Sequence, residues 1–364
     1  MSSNKTVLIG THDGAFHCDE VLAIFLLKLL PRYKDAVIIR TRNYDTLDTC
    51  DIVVDVGRKY EPSTHRYDHH MKDFNESLST VINKAGYDST IKLSSAGLIY
   101  CHFGEEIIKQ LLPENTSDAI IEVIFKRVYY KLIREIDAID NGVPMYEGEP
   151  LYNISTGISA RVSRLYPTWN DKTTDVSEQF QKAMDLVGEE FLWCVNYSIN
   201  VWWPSRCIVE EAVSKRFEVD KSGEIIELEI PVPWQGHLVE LEQQYNIQPI
   251  IKYVIFRDNI ESLNYRVRAV PVRPQSFICR MFLPKSWGGL QFSDLDAATG
   301  ISGCIFVHTV RFIGGHQNKA GAIEMARRAL EIGKSSTVCS EDTQSASANI
   351  SKILSLIPVF NNPK

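Results

Sequence analysis

The stretch TVLIGTHDGAFHCDEVLAIFLLKLL, residues 6–30, decides how the chain folds. Its first five residues form an apolar run that suits a buried strand. THDGAFHC then interrupts the run with polar and small residues. DEVLAIFLLKLL follows as a helix, with Asp19 and Glu20 in its first turn, where the helix dipole favours anions. Two further runs, AVIIR at 36–40 and DIVVDV at 51–56, have the character of parallel strands. Helical patterns resume at 91–111, with an interruption expected near Gly104, and at 116–138. Strands alternating with helices predict an α/β domain on a mainly parallel sheet.

In such sheets, polar residues just past the strand C-termini converge on one crevice. His12, Asp55 and the loop carrying Asp68, His69 and His70 all hold that kind of position. The stretch REIDAIDNGVP, 134–144, adds Asp137 and Asp140 at the end of a helix. His17 and Asp19, one residue apart in the turn before the first helix, can aim an imidazole and a carboxylate at one point. Gly57 lets the chain turn sharply after Asp55, and a carboxylate at Asp55 can bridge two ions, which one imidazole nitrogen cannot. His12, His17, Asp19, Asp55, His69 and Asp140 therefore form a mixed nitrogen and oxygen donor set. It suits manganese, iron, cobalt or zinc better than magnesium.

Several of these residues have plainer explanations when taken alone. Helix capping or solvation accounts for Asp13 and Glu20, and a loop hydrogen bond for His65. Cys18 reads as a buried thiol, because no acylation triad is evident around it. Among the two aspartates of REIDAIDNG, Asp140 is favoured as the ligand because its Asn-Gly neighbours suit a turn toward the crevice, with Asp137 in support.

The region 178–218 reads as a helical connector, and the proline of VWWPSR should break or kink it. Beyond it, EIIELEIPV, IKYVIFRD, NYRVRAVPV and CIFVHTVRF read as strands and AGAIEMARRALEIG as a helix. The expected organisation is a catalytic domain with its connector at 1–200, a smaller α+β domain at 201–333 and a loosely ordered Ser/Thr-rich tail at 334–364, with a short apolar helix near ILSLI. In FIGGHQNKAG, 312–321, a tight turn and helix start is the default reading. Gly314 and Gly315 could instead free backbone N–H groups for a phosphate, with His316 beside them. Arg266, Arg268 and Arg273 alternate, so at least two should share a strand face, either to hold a substrate backbone or as a solvated edge. Trp202 and Trp203 read equally well as core or as stacking surfaces.

Bulk properties narrow the choice. A chain of 364 residues with 44% hydrophobic and 23% charged residues has ordinary globular composition. The formal net charge of -7 argues against broad electrostatic wrapping of nucleic acid. Eight dispersed cysteines without a CxxC pair favour a reducing compartment over a disulfide framework. No apolar run is long enough for a transmembrane helix, and the N-terminus leaves little room for a cleaved signal.

At THDGAFHCDE, VVDVG, YDHH, EIDAIDNG and GGHQNKAG the chain resembles the melanocyte proliferating gene protein family, also described as UPF0160 metal-dependent protein hydrolases, within the DHH phosphoesterase superfamily. The likeness spans roughly residues 5–333 and is specific through the order of its motifs. It implies a DHH-phosphoesterase-like parallel-sheet domain followed by a smaller α+β substrate domain. By motif, His12, His17, Asp19, Asp55, His69 and Asp140 look like the ligands of two manganese ions. His70 resembles the phosphate-contacting residue and Asp68 the group that orients a neighbouring histidine. Gly314, Gly315 and His316 resemble a substrate-holding motif. One departure stands out: relatives with a DxD pair have two carboxylates where this chain has His17, Cys18 and Asp19, which removes a negative charge.

The resemblance implies a 3′ to 5′ RNA exonuclease releasing nucleoside 5′-monophosphates and acting in the nucleus and mitochondrion. The expected partner is single-stranded RNA or a short oligonucleotide, with no membrane; a homodimer stays open. The alternatives are a phosphohydrolase of short oligonucleotides or small phosphoanhydrides, and a noncatalytic RNA-binding protein.

Overall fold

The computed structural model describes residues 6–338. Contacts divide the chain into two compact units that meet in sequence at residues 199 and 200. The whole is mixed α/β, with one sheet in each unit.

In the first unit, β1 (Leu8–Thr11) leads through the HDGAFH turn into α1 (Cys18–Lys28). β2 (Val37–Arg40), α2 (Tyr44–Asp48), β3 (Ile52–Val54), β4 (Tyr60–Glu61) and β5 (Arg66–Tyr67) follow. The sheet order is β2-β1-β3-β5-β4. β1 pairs in parallel with β2 and β3, β3 pairs in parallel with β5, and β4 closes one edge antiparallel to β5. Because β1 and β3 are parallel neighbours, the residues leaving their C-terminal ends emerge side by side.

The helices are α3 (Leu78–Ile82), α4 (Ser95–Leu111), α5 (Asp118–Val128), α6 (Arg134–Asp140), α7 (Ile158–Ser163) and α8 (Val176–Tyr197). α1 is buried almost all round, as its run of Val, Leu, Ile and Phe demands. Gly188 of α8 admits the Phe25 ring, which would lie 2.2 Å from an added Cβ. The interruption expected at Gly104 does not occur. α4 runs unbroken, and the missing side chain admits the Phe125 ring, 2.7 Å from where a Cβ would stand. A π-helical turn over Tyr129–Ile133 joins α5 to α6. Such one-residue insertions often accompany functional sites.

In the second unit, α9 (Trp203–Ser214) follows directly on a π-helical turn over Ser198–Trp202, so the helical run does not break at Pro204 and the proline marks where its winding changes. α10 (Arg216–Val219), β6 (Ile225–Leu228), α11 (Gln235–Gln244), β7 (Tyr253–Arg257), β8 (Tyr265–Ala269), α12 (Phe292–Thr299), β9 (Cys304–Val307), β10 (Ile313–His316) and α13 (Lys319–Val338) follow. Its sheet, β6-β7-β8-β10-β9, is antiparallel except for the β6–β7 pair.

The tight turn expected around Gly314 and Gly315 is instead β10, paired with β8 on one side and β9 on the other. The glycines serve close packing: a Cβ on Gly315 would lie 2.6 Å from the Arg266 guanidinium and 2.9 Å from the Phe306 ring. α13 continues past Gly333 to Val338, where a loose tail was expected. The rest of that tail, with the short helix expected near ILSLI, lies outside the described residues.

Candidate metal centre

The centre belongs to the first unit and forms where the turns after β1, β3 and β5 meet the start of α4 and the end of α6. Arg40, closing β2, ties down the first turn by donating from Nε to the His12 carbonyl at 3.2 Å and from Nη2 to the Gly14 carbonyl at 2.5 Å. Glu20 is wholly buried and accepts from the His17 N–H at 2.9 Å, which caps α1. The same carboxylate lies 3.0 Å from His12 Nε2, so capping and placement of the imidazole are one arrangement. The capping role read from sequence is present; the contact with His12 could not be seen there. Asp13, by contrast, is exposed and paired with Arg42.

Asp55 stands at the centre. It follows β3 in the left-handed region, with φ of 61°, a conformation that costs an aspartate about 1 kcal/mol or more and must be held by its surroundings. Its Oδ2 is 3.3 Å from His12 Nε2 and its Oδ1 is 3.2 Å from His69 Nε2. Ser95, in the first turn of α4, donates from Oγ to Asp55 Oδ1 at 3.0 Å and from its N–H to Asp19 Oδ2 at 3.2 Å. His69 Nε2 is also 3.2 Å from Asp140 Oδ2 and 3.8 Å from Asp19 Oδ2.

His70 is more than half exposed. Its Nδ1 donates to Asp68 Oδ1 at 2.8 Å and lies 3.7 Å from Asp55 Oδ1. Asp68 is buried and is itself fixed by the His70 and Arg58 N–H groups, at 3.1 and 2.6 Å. Asp137 turns the other way: its Oδ1 accepts from Ser94 N, Ser94 Oγ and Gly97 N at 3.0, 2.8 and 3.1 Å, anchoring the N-terminus of α4. Of the two aspartates on α6, only Asp140 reaches His69.

The donors fall into three overlapping groups, each with ligand atoms within 4.8 Å of one another: His12, His17, Glu20 and Asp55; Asp55, His69 and His70; and His17, Asp19 and Asp140. All six residues singled out as ligands are brought together. Glu20 and Ser95 are the additions. Ser95 carries no metal-ligand chemistry of its own, and its position depends on a contact 40 residues away in sequence.

The electrostatics follow from crowding. Burial pushes Asp19 well above the ordinary carboxylate value, reinforced by Asp55, Asp140 and Glu20. Burial also opposes charge on Asp55, but His12 and His69 outweigh it and hold the group well below its usual range. His12 is raised to about 9, since its contacts with Asp55 and Glu20 overcome the burial that would lower it. The hydrogen bond to Asp68 raises His70, with burial opposing. The buried Cys18 thiol is pushed up to about 12 by desolvation and neighbouring carboxylates, which suits an inert packing role.

Among the described residues, His12 Nδ1, Asp19 Oδ1 and both ring nitrogens of His69 are buried without a hydrogen-bond partner. Orphaned buried polar atoms are costly. A nitrogen and carboxylate set packed this closely, with His12 Nε2 and His69 Nε2 both turned toward the Asp55 carboxylate, fits divalent cations.

The remaining candidates lie in the second unit. Arg266 and Arg268 share one face of β8, opposite the buried Tyr265, Val267 and Ala269. Arg266 pairs with Asp258 at 2.5 Å and stacks over Phe306, while Arg268 stacks over Phe312. Arg273 lies beyond β8 and is exposed. His316, at the end of β10, is 1% exposed; Nε2 donates to the Ser302 carbonyl at 3.0 Å and Nδ1 accepts from the Asn318 N–H at 3.1 Å. Its ring packs on Gly321, where a Cβ would come within 1.9 Å. Trp202 is buried and stacked on His237, as its core reading anticipates.

A chain with these two sheets and this donor cluster belongs to the uncharacterised protein family UPF0160, whose family profile matches residues 8–330. It is 48% identical over 324 residues to the MYG1 exonuclease of Mus musculus, covering 88% of this chain and 84% of the relative. The MYG1 protein of Caenorhabditis elegans is 47% identical over 336 residues, covering 92% and 98%. That of Saccharomyces cerevisiae is 37% identical over 339 residues, covering 91% and 97%.

Proposed function

We propose that this chain is a manganese-dependent phosphodiesterase of the DHH phosphoesterase superfamily. It removes nucleotides from the 3′ end of single-stranded RNA and releases nucleoside 5′-monophosphates. The observation that carries this reading is the position of Asp55, shared by two donor groups and flanked by His12 Nε2 at 3.3 Å and His69 Nε2 at 3.2 Å. Membership in a family with relatives named exonucleases supports a nucleic-acid substrate.

In this reading His12, His17, Asp19, Asp55, His69 and Asp140 would hold two ions, and Asp55 belongs to two of the donor groups. Bound there, divalent ions supply Lewis-acid charge for the phosphoryl group and activate water. The chain's own residues do the rest. Ser95 keeps the carboxylates of Asp19 and Asp55 in register, and Glu20 holds His12. Asp68 occupies His70 Nδ1, so Nε2 is the atom left to carry a proton to the departing ribose oxygen as its bond to phosphorus breaks. The raised proton affinity of His70 suits that donation. Arg266, Arg268 and Arg273 hold substrate phosphates in the second unit. There Gly314, Gly315 and His316 shape the neighbouring strand end.

The test is a substrate panel of 3′-labelled RNA, dinucleotides and pyrophosphate, each with manganese and with chelator. Manganese-dependent release of 5′-monophosphates from RNA is expected, and Asp55→Asn should lower the rate at least about a hundredfold. A folded Asp55→Asn protein that hydrolyses RNA at the wild-type rate would contradict the mechanism. Pyrophosphate as the preferred substrate would contradict the assignment to RNA.

A further inference from the structure

The segment GISARVSRLYPTW, residues 157–169, contains two arginines and no acidic residue, in a chain whose net charge is -7. Its core-facing residues are accounted for. Ile158 and Val162, one helical turn apart, are buried, and Tyr166 sets its ring edge-on to Phe16 with centroids 5.4 Å apart. Ser159 lies against the Cys18 thiol, between His17 and Asp19 in sequence, so α7 begins at the wall of the metal centre.

The outward residues have no such explanation. Arg161 and Arg164 are both exposed, and their three-residue spacing puts them on one side of the helical turn. Neither makes an ion pair among the described residues. Trp169, just beyond, is 94% exposed. A tryptophan left wholly in water gains nothing for the fold. Positive charge that tracks phosphates, followed by an aromatic face that stacks a base, is the combination used by sequence-tolerant binders of single strands.

We infer that residues 157–169 form a track for single-stranded nucleic acid beside the metal centre, with Arg161 and Arg164 on successive phosphates and Trp169 stacked on a base. The inference rests on the phosphodiesterase reading for its substrate class, but its test is binding and does not require turnover. The absence of acidic residues from the segment favours a polyanion over a protein partner.

The experiment is fluorescence anisotropy of a labelled oligouridylate twelve-mer with the full chain, in chelator so that no hydrolysis occurs, across a range of salt concentrations. Arg161→Ala/Arg164→Ala should raise Kd about tenfold and flatten the dependence of log K on log salt by about 1.4, since each single-strand phosphate contact contributes about 0.7. Trp169→Ala should weaken binding about tenfold with the salt slope unchanged. Arg161→Lys/Arg164→Lys should restore the slope.

Unchanged Kd and slope in the arginine variant would overturn the track, as would wild-type protein that does not bind the strand; Trp169 would then be free for a protein partner. Arginine-dependent binding by a protein that hydrolyses no phosphodiester with any divalent ion would support the track while removing the enzymatic reading. Asp55-dependent hydrolysis with binding indifferent to Arg161, Arg164 and Trp169 would do the reverse.

Discussion

Replacing Ser95 by alanine removes one oxygen that touches neither solvent nor, in the proposed arrangement, the metal. Ser95 is fully buried, and its Oγ donates to Asp55 Oδ1 at 3.0 Å. A hydrogen bond to a charged group contributes about 1.5–3 kcal/mol. Alanine, the better helix former, returns about 0.5 kcal/mol at this position in α4. The net loss is about 1–2.5 kcal/mol. At roughly 2–4 °C per kcal/mol for a unit of this size, the melting temperature should fall by about 2–10 °C in chelator. The second effect is separable. Asp55 keeps its charge but loses an orienting donor, so manganese affinity should fall about 10–100-fold. Thermal melts in chelator measure the first effect, and isothermal titration with manganese measures the second. A Ser95→Ala protein that melts with wild type and binds manganese equally would show that Ser95 does not position Asp55, and the account of the α4 N-terminus would fail.

Two further outcomes follow from the same geometry. In metal-free protein the folded-state pKa of His12, about 9, lies above its unfolded value of about 6.5. The stability it contributes is therefore fully present below pH 6.5 and lost as pH rises through 9, by at most about 3 kcal/mol. Urea unfolding of chelator-treated protein at both pH values should show that loss, and His12→Gln should remove most of the difference. Cys18, with its thiol pushed up to about 12, should resist iodoacetamide at neutral pH while the exposed Cys207 reacts. Cys18→Ala should keep manganese-dependent hydrolysis, and its loss would return the thiol to consideration as a nucleophile.

What the sequence disclosed depended on how local the signal was. The runs around β1 and β3 are apolar and short because these central parallel strands are buried, while β2 is a partly exposed edge strand, and the polar residues following β1 and β3 had to emerge at one edge of the sheet. That logic reached His12, Asp55 and His69 without coordinates. It did not reach Ser95, whose partner is fixed only when α4 packs over β3 and β5, or the second contact of Glu20, since a capping glutamate looks the same whether or not an imidazole lies above it. Gly314 and Gly315 misled for a physical reason. Paired glycines most often mark turns, but here they are strand residues stripped of side chains because Arg266 and Phe306 lie across them. Asp137 and Asp140 could be ranked only by their neighbours, because a π-helical turn just before α6 shifts the register from which a face would be read.

The central claim is that Asp55 joins two divalent ions within one cluster of histidines and carboxylates. Crystals grown with manganese and measured at its absorption edge test it most directly. The account predicts two anomalous peaks per chain, both in contact with Asp55, one beside His12 and the other beside His69, and their loss in Asp55→Asn. Saturating manganese with no peak between Asp55 and His69, in a protein folded as described, would contradict it.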